Sequence, residues 1–203
     1  MTRPGADSAW PEVVRAVRAA PYPVQVLPAE ADRARQCLAR LEISDRSWLG
    51  ALVANSGGIA LDHGWLRVLG SGGPQLPDVV SESKPEHGLV VVAYDVLGGH
   101  FIWASVDPGA KPTIHYFGPD TLEYQDVELG YAQWLHAMLT GWMTEFYAGL
   151  RWPGWEAEVA SLPLDTGLHT YPPPNTREGR DLSRVSRRPT NLKQLVTHYS
   201  GLD

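Results

Sequence analysis

A chain of 203 residues, 43% hydrophobic with eight Trp and eight Tyr, is long enough for one sizeable core and too short for two large ones. No stretch approaches the roughly 20 consecutive apolar residues of a membrane helix, and Met1 to Ala9 lacks the apolar run of a secretory leader. A formal charge of −6 opposes binding to nucleic acid, whose affinity comes mainly from neutralised phosphates, so a soluble cytoplasmic protein with neither nucleic-acid nor membrane partners is expected.

Ser8-Ala9-Trp10-Pro11 opens a helix with proline in its first turn, and Val13, Val14 and Val17 give it an apolar face up to Ala20. Pro21 ends it, and Tyr22 to Leu27 is extended between prolines. Pro28 reads as the opening of a second helix, Ala29 to Leu41, with Leu38 and Leu41 on one side. Cys37, the single cysteine, falls within it as a small apolar residue, which excludes an internal disulfide. A third helix starts near Ser44 or Asp45, buries Trp48, Leu49, Leu52 and Val53, and stops at Asn55 and a glycine, residue types that accept left-handed backbone. A short extended piece, a turn at Asp62 to Gly64 and a strand from Trp65 to Leu69 follow.

The period then changes. Leu89 to Tyr94, Phe101 to Val106 and Thr113 to Phe117 are short runs of branched and aromatic residues which, with Trp65 to Leu69, predict an antiparallel meander. Ser71 to His87 reads as a long loop, Leu97-Gly98-Gly99-His100 as a hairpin connection, and Asp107-Pro108-Gly109 as a second turn. Helix returns near Asp126, with Tyr131, Leu135, Met138 and Trp142 at helical spacing; Gly141 splits it, with Thr140 capping the second part. The fold class is therefore α+β: one domain over residues 1–170, then a Pro-rich, basic tail over 171–203 that starts irregularly and carries a short helix, Asn191 to Tyr199.

Motifs for chemistry are scarce. The seven histidines form no HxxxH, HxH or HExxH pair, which gives no metal site. Leu69-Gly70-Ser71-Gly72-Gly73-Pro74 lacks the lysine of a phosphate cradle, and no nucleophile elbow is present, so no catalytic residue and no cofactor are assigned. Asp62 and His63 are adjacent, and Asp62 reads as a turn residue. Asp95, Asp107 and Asp120 sit at strand ends or turns, where Asp bonds its own backbone. Asp95, His100 and His115 lie near strand ends, where a pocket between sheet and helices could gather them for a small enzyme or metabolite binder.

The charge is unevenly placed. Asp78 to Asp165 holds 13 acidic residues against Lys84, Lys111 and Arg151, whereas the chain from Asn175 onward is net basic. Such an acidic body suits a basic protein partner, although it also serves solubility alone. Glu123, Tyr124, Asp126 and Glu128 are candidate contacts. In Arg151-Trp152-Pro153-Gly154-Trp155-Glu156, either the two Trp pin a loop to the core with Arg151 stacked on an indole, or Arg151, Trp152 and Trp155 form a partner-binding edge. Trp-rich edges would also suit a homodimer.

Four segments, in order, carry a resemblance: the helix and Asn55-Ser56-Gly57-Gly58 leading to Trp65-Leu66-Arg67; Tyr94-Asp95-Val96-Leu97-Gly98-Gly99-His100-Phe101; Tyr116-Phe117-Gly118-Pro119-Asp120-Thr121-Leu122-Glu123; and Phe146-Tyr147 to Leu150-Arg151-Trp152-Pro153-Gly154-Trp155. Together they resemble an uncharacterised bacterial family, domain of unknown function 2625, of the SUKH superfamily, over roughly residues 10–170, with Tyr124 where that family is expected to carry Trp. The resemblance implies an α+β domain with N-terminal helices, a central antiparallel sheet and further helices. Many bacterial SUKH proteins are cytoplasmic immunity proteins that neutralise a cognate toxin, often a nuclease, and others are interaction scaffolds. It confers no catalytic residues.

Overall fold

The computed structural model describes residues 7–106 and 109–200, so the expected turn at Asp107 and Pro108 lies outside the described residues. Helix α1 (Trp10–Ala19) leads through β1 (Val24–Pro28) to α2 (Ala31–Leu41) and α3 (Trp48–Asn55). The Ser47 hydroxyl accepts the Gly50 amide at 3.1 Å and caps α3. Gly50 packs its α-carbon so tightly against the Ser44 carbonyl that a side chain there would overlap it. Trp48 is only half-buried, its indole N–H donated to Glu12 at 3.1 Å. Pro28 closes β1 and does not open α2, because its ring is compatible with the end of an edge strand.

No left-handed residue ends α3. The chain runs directly into β2 (Ser56–Leu61), with Ser56 extended and its hydroxyl donated back to Leu52 O at 2.9 Å. The left-handed residues come at the next turn, where Asp62, His63 and Gly64 have φ of 49°, 60° and 85°. β3 (Leu66–Leu69), β4 (Leu89–Asp95), β5 (His100–Ala104), β6 (Thr113–Phe117) and β7 (Tyr124–Asp126) complete a seven-stranded antiparallel sheet in which neighbours in sequence are neighbours in space. β7 replaces the helix expected at Asp126. Its polar residues gain a ladder against the free edge of β6, and Glu128, with φ 59°, holds the backbone out of the helical region until α4 (Tyr131–Leu139).

Gly141, φ 109°, separates α4 from α5 (Trp142–Phe146) as expected. Thr140 serves the first helix rather than the second, donating its hydroxyl to His136 O at 2.9 Å. After α6 (Trp155–Ala160), β8 (Thr166–Tyr171) and β9 (Ser186–Asn191) pair antiparallel, and α7 (Leu192–Ser200) follows. This second sheet joins residues on both sides of position 170, and Leu168, Leu182, Val185, Leu192 and Leu195 are all buried.

The large sheet is covered on both faces. Phe101 and Tyr116 turn toward the helices, meeting Trp134, Phe146 and Tyr147 at 5.0–6.2 Å between ring centroids. Against the opposite face, Leu168 N–H donates to Val96 O at 2.7 Å, and the wholly buried Arg67 donates Nη2–H to Thr166 O at 3.0 Å. Burial lowers the Arg67 pKa to about 10. Among the described residues, seven α-helices, the seven-stranded sheet and the two-stranded sheet make an α+β fold.

Candidate functional site

The far edge of the sheet is built on the turn from Gly118 to Glu123 and on β7. Glu123, Tyr124, Asp126 and Glu128 are all exposed there. Val127 donates its N–H to Ile114 O at 2.8 Å, and antiparallel ladders alternate, so Gln125 bonds β6 through Tyr116 while the N–H and C=O of Tyr124 and Asp126 point away from the sheet. Glu123, Asp126 and Glu128 form no ion pair among the described residues. Asp126 instead accepts the Glu128 amide at 2.8 Å. Leu122 and Glu128, both with positive φ, bracket the strand.

Tyr124 is 44% exposed, yet its ring is held from below. Its hydroxyl lies 2.7 Å from His100 Nε2, and its ring meets Phe117 edge-on at 5.2 Å while His100 stacks on Phe117 at 5.0 Å. Burial pushes the His100 pKa down to about 4, so the imidazole is neutral at pH 7 and bonds Tyr124 without carrying charge. The sequence identifies Tyr124 and the carboxylates; it does not identify His100 as their support, because that pairing depends on the registers His100↔Phe117 and Phe117↔Tyr124.

Arg151, Trp152 and Trp155 lie elsewhere, with the indoles turned inward: Trp152 is 3% and Trp155 8% exposed. They pack on the fully buried Trp65 at 5.7 and 5.0 Å. Arg151 lies over Trp155 at 4.1 Å and donates to Asp62 Oδ2 at 2.6 Å, which ties down the left-handed turn at Asp62 and His63. Burial raises the Asp62 pKa, with Arg151 opposing. Arg187 covers Trp152 at 4.4 Å and pairs with Glu158 at 3.1 Å. The exposed members of the expected partner surface are thus Glu123, Tyr124, Asp126 and Glu128.

Asp95, His100 and His115 are not gathered into one pocket. His100 and His115 share the face of Phe117, whereas Asp95 belongs to the helix-covered face, where it accepts Tyr116 OH at 2.8 Å and Tyr147 OH at 3.3 Å. Its other oxygen accepts the amides of Leu97 and Gly99 at 2.9 Å each, the turn role expected of it. Gly99 has no room for a side chain, since a β-carbon would stand 2.5 Å from Tyr116 OH. Three surface cavities of about 270, 310 and 340 Å³ are lined by none of these three residues. Among the described residues, no cluster of three His, Cys, Asp or Glu could hold a metal ion, and no helix is long and apolar enough to cross a membrane.

A family model described as "Protein of unknown function DUF2625" matches residues 4–195. The chain belongs to the DUF2625 family. This DUF2625 protein is similar to the "Putative uncharacterized protein YbfG" of Escherichia coli (strain K12), 37% identical over 172 residues covering 82% of this chain and 80% of that one. It is also similar to an "Uncharacterized protein" of Haemophilus influenzae, 28% identical over 204 residues covering 96% of this chain and 88% of the relative. The match runs through β8, β9 and the start of α7, the elements that close the second face of the sheet.

Proposed function

We propose that this DUF2625 protein is a non-catalytic protein-binding module whose β7 edge engages a basic partner, and that it acts as a cytoplasmic immunity protein of SUKH type, neutralising a cognate toxin. The observation that carries this reading is the set of exposed, unpaired carboxylates of Glu123, Asp126 and Glu128 around a supported Tyr124. The carboxylates of Asp62 and Glu158, by contrast, are engaged by arginines within the fold. A nuclease holds phosphates on a basic face, and an acidic partner seated there would associate quickly and with strong salt dependence. Tyr is a frequent hot-spot residue because it offers large apolar area with a polar tip at little entropic cost.

Affinity capture from the lysate and secreted fraction of the source cell, at low and high salt, with mass spectrometry of the bound species, tests the reading. A basic toxin recovered in stoichiometric amount at low salt is the expected result, lost with Glu123→Lys, Asp126→Lys and Glu128→Lys combined. Equal recovery by that triple variant would refute the interface. A salt-insensitive, non-toxin partner would replace immunity with a scaffolding role.

A further inference from the structure

Resting on the partner-binding reading, we infer that the partner docks by strand addition: an extended, basic segment pairs with the outer edge of β7 and continues the sheet. The two ends of the large sheet differ in a way that singles this edge out. β1, at the other end, is bounded by Pro23 and Pro28 and carries a register shift at Leu27 and Pro28, devices that blunt an edge against pairing. β7 has neither. The N–H and C=O of Tyr124 and of Asp126 face outward, forming the spaced pair of donor and acceptor sites that an incoming antiparallel strand requires.

Side-chain alternation then sets the chemistry of the occupant. Tyr124 and Asp126 are two residues apart on β7 and project to the same face, that of His100 and His115. A strand laid beside them needs an apolar residue next to Tyr124 and a Lys or Arg, two positions away, next to Asp126. Glu123 and Glu128 add attraction for a basic segment at the two ends. A second copy of this chain is disfavoured, because pairing β7 with itself would crowd the Glu123, Asp126 and Glu128 of both copies along one seam with no Lys or Arg in residues 122–130 to offset them. The left-handed residues Leu122 and Glu128 keep the docking strand short.

The test uses the full chain and a blocked synthetic octapeptide, Thr-Val-Thr-Lys-Thr-Val-Thr-Lys, which sets Val and Lys two positions apart on one face, with three controls: Glu in place of Lys, alternate amides N-methylated on one edge, and no peptide. Hydrogen exchange of individual amides is read by NMR at low salt. Saturating Val-Lys peptide is expected to slow exchange at Tyr124 and Asp126 by about tenfold or more, with Gln125, already bonded to β6, little changed. The Val-Glu and N-methylated peptides should bind about tenfold more weakly or not at all. Absence of measurable Val-Lys binding at millimolar concentration, or binding that leaves the Tyr124 and Asp126 amides unprotected, would overturn strand addition. Protection that grows with protein concentration alone would assign the edge to a second copy and overturn the basic-segment assignment. Failure of either kind leaves the acidic-interface reading to its own test, the charge-reversed capture.

Discussion

Replacing Asp95 by alanine removes the acceptor at the centre of the core and leaves four donors facing an apolar side chain. The Leu97 and Gly99 amides, each bonded to Oδ1 at 2.9 Å, lie in a closed hairpin with no alternative acceptor supplied by the new residue. An unsatisfied buried donor costs about 1–3 kcal/mol, so these two contribute roughly 2–6 kcal/mol. The hydroxyls of Tyr116 and Tyr147, both on Oδ2, are close enough to re-pair with each other and add about 1 kcal/mol. A loss of about 3–7 kcal/mol is thus expected, a large share of the ordinary stability of a domain. Asp95→Asn keeps an oxygen for the two amides and presents an amide that the tyrosine hydroxyls can accept from, so it should cost no more than about 2 kcal/mol. Equilibrium urea unfolding followed by tryptophan fluorescence separates the cases. Burial raises the Asp95 pKa, with the hydrogen bonds from Tyr116, Gly99 and Leu97 opposing. The folded state therefore holds this proton more tightly than the unfolded one, and wild type should lose stability relative to Asp95→Asn as the pH rises from about 4 through the folded pKa. A loss below about 2 kcal/mol for Asp95→Ala, or a wild type that gains on Asp95→Asn with rising pH, would refute the reasoning.

Two further outcomes follow from the same accounting of buried groups. The folded pKa of His100, lowered from 6.5 to about 4, means that stability is lost as the pH falls from about 6.5 to 4, by about 3 kcal/mol in all; acid unfolding of His100→Phe should lack that component, and an unchanged acid limb would count against it. Arg151→Met leaves the Asp62 carboxylate buried without its partner and should destabilise by about 3 kcal/mol, with Asp62→Asn in the same chain recovering part of the loss; additive effects in that double-mutant cycle would contradict the coupling.

The meander is legible because Val-, Ile- and aromatic-rich runs such as Leu89 to Tyr94 alternate with Gly and Asp turns, and both signals act locally. β7 is not, since Tyr124-Gln125-Asp126 carries no apolar alternation and becomes a strand only because β6 offers an unpaired edge. The same holds for Ser186-Arg187-Arg188-Pro189-Thr190-Asn191, which reads as a polar tail and is ordered by β8. Arg67 gives no sign of its burial, which depends on Thr166, almost a hundred positions away. At the candidate site the acidic residues and Tyr124 are visible as composition. Their exposure, the inward turn of Trp152 and Trp155, and the separation of Asp95 from the two histidines depend on strand register and on the distant Trp65, none of which local sequence encodes.

The order of the strands also governs how the molecule comes into being. Each strand of the large sheet pairs with the one made just before it, so the sheet and its helices can assemble progressively as the chain leaves the ribosome, with little loop-closure entropy to overcome at any step. The opposite face cannot close until β9 and α7 have emerged, because Leu182, Val185, Leu192 and Leu195 all follow the whole of the large sheet in the chain. Arg67 is without its Thr166 partner until β8 emerges, and the apolar residues of that face stay open to water until Leu192 and Leu195 arrive. The nascent protein therefore passes through a half-covered state in which the face later sealed by the C-terminal hairpin is the surface most prone to wrong association.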